Sequence, residues 1–135
     1  MSSSPWVACI LGMGLVTGIA RADFDGSVSL ACMASQAHDC LPEEELCHRF
    51  NPAADKPAVF EIDFGGNEVR SPFRAAPLQV LQLANNGEAI VLQGVDLQFA
   101  WSALIKRATG AFTISIADRE GAYVAFGKCI EAKKG

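Results

Sequence analysis

From Val59 onward the chain alternates between short apolar runs and turn residues, and this rhythm constrains its fold more than any other feature. Phe60, Ile62 and Phe64 fall on one face of an extended segment with Glu61 and Asp63 on the other, and Gly65-Gly66-Asn67 makes a turn. Leu97, Phe99, Trp101, Ala103 and Ile105 form a long apolar face opposite Asp96, Gln98 and Ser102. Beyond Thr109-Gly110, Phe112, Ile114 and Ile116 repeat the pattern opposite Thr113 and Ser115. Leu78 to Leu83 breaks strict alternation at Val80-Leu81, where a bulge or burial on both faces is expected. Asn85-Asn86-Gly87 leads into Ala89 to Val95, and Asp118-Arg119-Glu120-Gly121 leads into Ala122 to Phe126. Such a series, about seven strands in all, must close or stack to hide its edges. The expectation is therefore a mainly β fold, a small antiparallel barrel or sandwich.

The region before Val59 is irregular and carries most of the cysteines. A short strand is expected at Ser27 to Cys32. Pro42 followed by Glu43, Glu44 and Glu45 suits the first turn of one short N-terminal helix reaching about His48. Pro72 and Pro77 bracket a loop, Ser71 to Ala76, unsuited to a strand interior.

Residues 1–22 read as a signal peptide. Trp6 to Ala20 is an apolar run, Ala20-Arg21-Ala22 is an A-x-A site, and polar Asp23-Phe24-Asp25-Gly26 follows. The run is short of the ~20 apolar residues a bilayer span needs, and no later stretch is long and apolar enough. Cleavage after Ala22 leaves residues 23–135 as one β domain and removes Cys9. It also removes Arg21 and no acid, so the mature chain is one charge more acidic than the −4 of the whole sequence. That balance, with no Lys/Arg run, argues against nucleic acid and anionic lipid as partners. It favours a basic protein of the cell envelope, with a periplasmic or secreted location.

Four cysteines remain, Cys32, Cys40, Cys47 and Cys129, an even number in an exported chain, and disulfides are the default. Of the three connectivities, spacing favours Cys40 with Cys47 as a local clasp and Cys32 with Cys129 as the long closure. In the chain-entropy account a loop near a hundred residues is worth about 4.7 kcal/mol. Bridging Cys32 to Cys129 requires the first and last strands to be neighbours or packed face to face.

The start Asp23-Phe24-Asp25-Gly26, Ile90-Val91-Leu92-Gln93-Gly94, Trp101-Ser102, Thr109-Gly110 and the closing Phe126-Gly127-Lys128-Cys129 together resemble small exported proteins of proteobacteria. The resemblance implies periplasmic export and a shared fold, and nothing about chemistry. A looser similarity, in size, export and a terminal Cys, is to the disulfide-stapled β-barrels that inhibit lysozyme in bacterial periplasms.

No catalytic, cofactor-binding or metal residue is assigned. His38, Cys40, Cys47 and His48 are soft ligand types that zinc or copper would select, but the spacing is no zinc ribbon and an oxidising compartment consumes the thiols. His38 and His48 lack a Gly-x-Ser-x-Gly elbow or a placed Ser. Glu61 and Asp63, about 7 Å apart on one strand face, are more simply its wet side. Gly65-Gly66 and Gly94 are turn and bulge residues without the βαβ context of a phosphate cradle, and Trp101 continues a core face.

Two classes of function fit these residues. One is a binding or inhibitory module presenting Ser71–Ala76 and the acidic Asp39–Cys47 region to an envelope protein. The alternative is a small-molecule carrier or small enzyme using the barrel interior, although bulky Phe, Ile and Leu on every inner face favour a filled interior.

Overall fold

A computed structural model describes residues 23–51 and 58–132. The signal peptide expected over residues 1–22 lies outside them. The strands are β1 (Leu30–Cys40), β2 (His48–Phe50), β3 (Ala58–Asp63), β4 (Glu68–Arg70), β5 (Leu78–Gln79), β6 (Gln82–Asn85), β7 (Ala89–Val95), β8 (Phe99–Lys106), β9 (Ala111–Asp118) and β10 (Ala122–Glu131). All pairings are antiparallel, in the order β5-β4-β3-β1-β10-β9-β8-β7-β6, with β2 beside β1.

The two ends of that order are contiguous in the chain. Only Val80 and Leu81 separate β5 from β6, at the place where the alternation of apolar residues breaks. The Val80 amide donates to the Asn67 carbonyl at 2.9 Å and the Leu81 amide to the Gln93 carbonyl at 2.9 Å. One bent segment thus leaves β4 and joins β7, curling the sheet into a barrel-like structure. This is how the fold removes most of its edges.

Its interior is filled by the alternating residues. Phe60, Ile62, Ile90, Leu92, Ile105, Phe112 and Ile114 are fully buried, and Trp101 is 4% exposed. Cys32 and Cys129 are direct cross-strand partners on β1 and β10, bonded inside the barrel with Cα atoms 3.9 Å apart. The first long strand and the last are therefore neighbours, as the long bridge required.

One end is plugged. Phe24 is buried against Gly110, where a β-carbon would stand 2.7 Å from the ring, and its amide donates to the Arg107 carbonyl at 3.3 Å. Asp23 pairs with Arg107 at 3.1 Å, and the Asn85 side chain donates to the Asp25 carbonyl at 3.0 Å. The Asp23-Phe24-Asp25-Gly26 sequence is thus a structural seal.

Four expectations need correction. Among the described residues there are ten strands rather than about seven, because β2, β4 and β5 are very short. The first strand begins at Leu30 and runs on to Cys40 rather than ending at Cys32. Leu97, expected on the inward face of β8, is fully exposed, since Asp96-Leu97-Gln98 is the β7–β8 turn and the Asp96 amide already closes it on the Phe99 carbonyl at 2.9 Å. No helix is present among the described residues, and the short helix expected to His48 is replaced by turns and bends over 41–47. The Cys40–Cys47 bond explains that outcome. Seven residues of α-helix rise about 10.5 Å, whereas these Cα atoms are 4.3 Å apart.

Candidate functional site

The opposite end of the barrel differs in chemistry from the plugged one, and a β-bulge creates the difference. On β1, Leu30, Cys32 and Ala34 face inward at period two, and continued alternation would send residues 36, 38 and 40 inward. The register instead shifts between Ala34 and Gln36, leaving Ser35 as an extra residue. Parity changes, so Ala37 is the next buried residue and Asp39, which is exposed, the next on that face, where it lines the barrel mouth.

Asp39 lies opposite Tyr123 in the β1–β10 ladder, and Tyr123 lies opposite Ile116 on β9. These residues, with Phe73, Asp118 and Glu120, line a cavity of about 410 Å³. Asp118 also shapes the β9–β10 turn, its Oδ1 accepting the amides of Glu120 at 2.8 Å and Gly121 at 2.9 Å. Burial pushes the Tyr123 phenol above its ordinary pKa of 10.0, and the Asp39 carboxylate adds to the rise.

The proline-flanked loop forms one wall of the mouth. The Phe73 amide donates to Ser71 Oγ at 3.2 Å, and its ring meets those of Phe60 and Tyr123 edge-on, with centroids 6.1 and 5.7 Å away. Arg74 places its guanidinium 4.3 Å above the Phe99 ring and pairs with Asp96 at 3.4 Å. Stacking and charge pairing therefore fix the loop across the barrel end.

Beside the mouth stands the clasp. The Cys40–Cys47 bond closes a seven-residue separation, and β2 then returns antiparallel to β1, with His48 opposite Asp39. The enclosed loop presents Glu43, Glu44 and Glu45, and Leu46 is 80% exposed at their side. Leu41, from the same loop, also lines the cavity. The His48 ring contacts the Glu44 carboxylate within the loop.

The other residues singled out from sequence fall as follows. The Cys40 and Cys47 sulfurs are bonded to each other, and His38 sits on β1 with its Nε2 2.8 Å from the Gln36 amide nitrogen. Glu61 and Asp63 are exposed on the outer face of β3, where Asp63 accepts the Gly66 amide at 3.0 Å in the following turn. Gly94 lies against the Trp101 indole. A β-carbon there would meet its nitrogen at 2.3 Å, so this glycine makes room for the core tryptophan.

Sequence reasoning singled out the acidic Asp39–Cys47 region and the Ser71–Ala76 loop, and the structure brings both to one end. It missed that Asp39, Asp118 and Tyr123 converge there. The sequence places Asp118 in a turn and Asp39 in the acidic region beside Cys40, and nothing in either pattern joins the two. The available signal was strand parity counted from Cys32, which misleads unless the bulge is known. No family model, curated protein or solved structure matches this chain.

Proposed function

We propose that the protein is an exported binding module whose clasp end docks a basic protein of the cell envelope. The observation that carries this reading is the clasped loop. A short disulfide-closed segment holds three glutamates and an 80% exposed leucine outside the barrel. A disulfide-held loop is ordered before it binds, which lowers the entropy lost on association. Its carboxylates steer a cationic partner, and Leu46 supplies an apolar contact of the kind that anchors an interface centre.

The carrier alternative has less support, because the barrel's inner faces are occupied by Phe60, Phe112, Ile114 and Trp101. An inhibitor of a basic hydrolase is one specific form of the binding module.

The test is affinity capture from an envelope extract on the mature protein, with Glu43→Gln/Glu44→Gln/Glu45→Gln as the comparison. Basic proteins retained at low salt, released by added salt and lost with the triple variant are expected. Retention of the same proteins by the triple variant overturns the reading.

A further inference from the structure

We infer that the barrel mouth beside the clasp is a receptor for a guanidinium group, the arginine side chain of a basic partner. This rests on the docking reading above and assigns the cavity a role within it. Three features converge there. First, the inward positions of the strands are apolar through the depth of the barrel, the Asp23–Arg107 pair belongs to the plugged end, and at this end three solvent-exposed carboxylates, Asp39, Asp118 and Glu120, line the mouth. Asp39 contributes little to the packing of an otherwise filled barrel, and it is the bulge at Ser35 that brings it to the mouth.

Second, the walls are aromatic. Phe73 and Tyr123 meet edge-on, giving a planar cation ring faces and edges to stack against. Guanidinium groups combine stacking with forked donation to carboxylates, which a compact ammonium does less well. Third, among the described residues no Arg or Lys lines the cavity. Arg74 at this end is paired with Asp96, and Arg119 on the neighbouring turn does not line the cavity. At about 410 Å³ the space is of ligand-pocket size.

The chain carries its own reporter. Tyr123 is the one tyrosine in the sequence, and it lines the cavity opposite Asp39. A bound cation must stabilise its phenolate and shift its ionisation downward, an effect readable in ultraviolet difference spectra without any label.

The experiment titrates mature protein with N-acetylarginine methylamide and, as the uncharged isostere, N-acetylcitrulline methylamide, following Tyr123 absorbance and amide chemical shifts. A saturable response to the arginine compound alone is expected, weakened about ten-fold in Asp39→Asn, the scale of one charge-assisted hydrogen bond. Glu120→Gln, at an exposed rim position, gives a second reading should Asp39→Asn fold poorly. The glutamate-loop triple variant should bind the small probe as the wild type does while losing captured proteins. Absence of a response, an equal response to the citrulline compound, or unchanged affinity in both Asp39→Asn and Glu120→Gln overturns the receptor. Salt-sensitive capture that survives such a result would leave the docking reading standing alone.

Discussion

Gly127 on β10 lies so close to the Met33 carbonyl oxygen on β1 that a β-carbon at residue 127 would stand 1.9 Å from it. The contact falls beside the bulge, where Ala34 pairs with Gly127 and Gln36 with Phe126. Only a residue without a side chain lets β1 crowd its neighbour here, so Gly127 is a condition for the parity change that brings Asp39 to the mouth.

Gly127→Ala should therefore destabilise the protein by roughly 1–3 kcal/mol, the usual range for forced overpacking. It should also displace β1 beyond the bulge. Urea unfolding monitored by Trp101 fluorescence checks the first effect, and Tyr123 ionisation the second. An unchanged midpoint would mean that the ladder accommodates the methyl group and the bulge is not fixed by this glycine.

The two disulfides should separate in their effects. Cys32–Cys129 spans 97 residues and is buried, while Cys40–Cys47 spans 7 and closes an exposed loop. The loop-entropy relation gives about 4.7 kcal/mol for the first and about 2.4 kcal/mol for the second. Replacing the first pair by Ala should lower the melting temperature more than replacing the second by Ser. Loss of captured basic proteins should follow the second pair at temperatures where the variant remains folded. Maleimide should label no cysteine of the folded mature protein before reduction.

Trp101→Ala should cost about 3–5 kcal/mol, because the indole is 4% exposed and lies against Gly94 in the barrel interior. Captured proteins should be unaffected once the variant is folded, since Trp101 does not line the mouth. Calorimetry and capture on the same preparation test both halves, and wild-type stability with lost binding would contradict the inward placement.

These contrasts also show what was readable beforehand. Phe60 and Ile62, like Phe112 and Ile114, are buried as their period-two spacing implied, because alternation records which face of a strand meets the core. The pairing of Cys32 with Cys129 was legible because both lie near ends that a closing sheet brings together. The bulge at Ser35 was not, since it depends on a glycine 92 positions later in the ladder partner. The loop at 41–47 has helix-favouring residues, but a covalent bond sets its geometry and local preference yields to it. Leu97 continued an apolar stripe in sequence and lies outside because a turn, invisible to periodicity, ends the strand first. The mouth combines both difficulties, a parity change and a loop folded across from elsewhere.

Tyr123 yields the sharpest pH prediction. Burial first, and then the facing Asp39 carboxylate, raise its ionisation above the ordinary value of 10.0 in the folded protein. A raised phenol pKa means that folding favours the protonated form. The associated stability is fully present below the unfolded-state value near 10.0 and is lost as pH rises through the folded-state value. Wild type should therefore lose stability above about pH 10 more steeply than Tyr123→Phe, while at neutral pH this ionisation gives the two no difference. Asp39→Asn removes the second cause and leaves burial, so it should bring the phenol part of the way back toward 10.0. Spectrophotometric titration of wild type and Asp39→Asn, with urea midpoints for wild type and Tyr123→Phe across the alkaline range, supplies both comparisons. A phenol that titrates identically in wild type and Asp39→Asn would show that the carboxylate does not face it, and the geometry assigned to the mouth would fail with it.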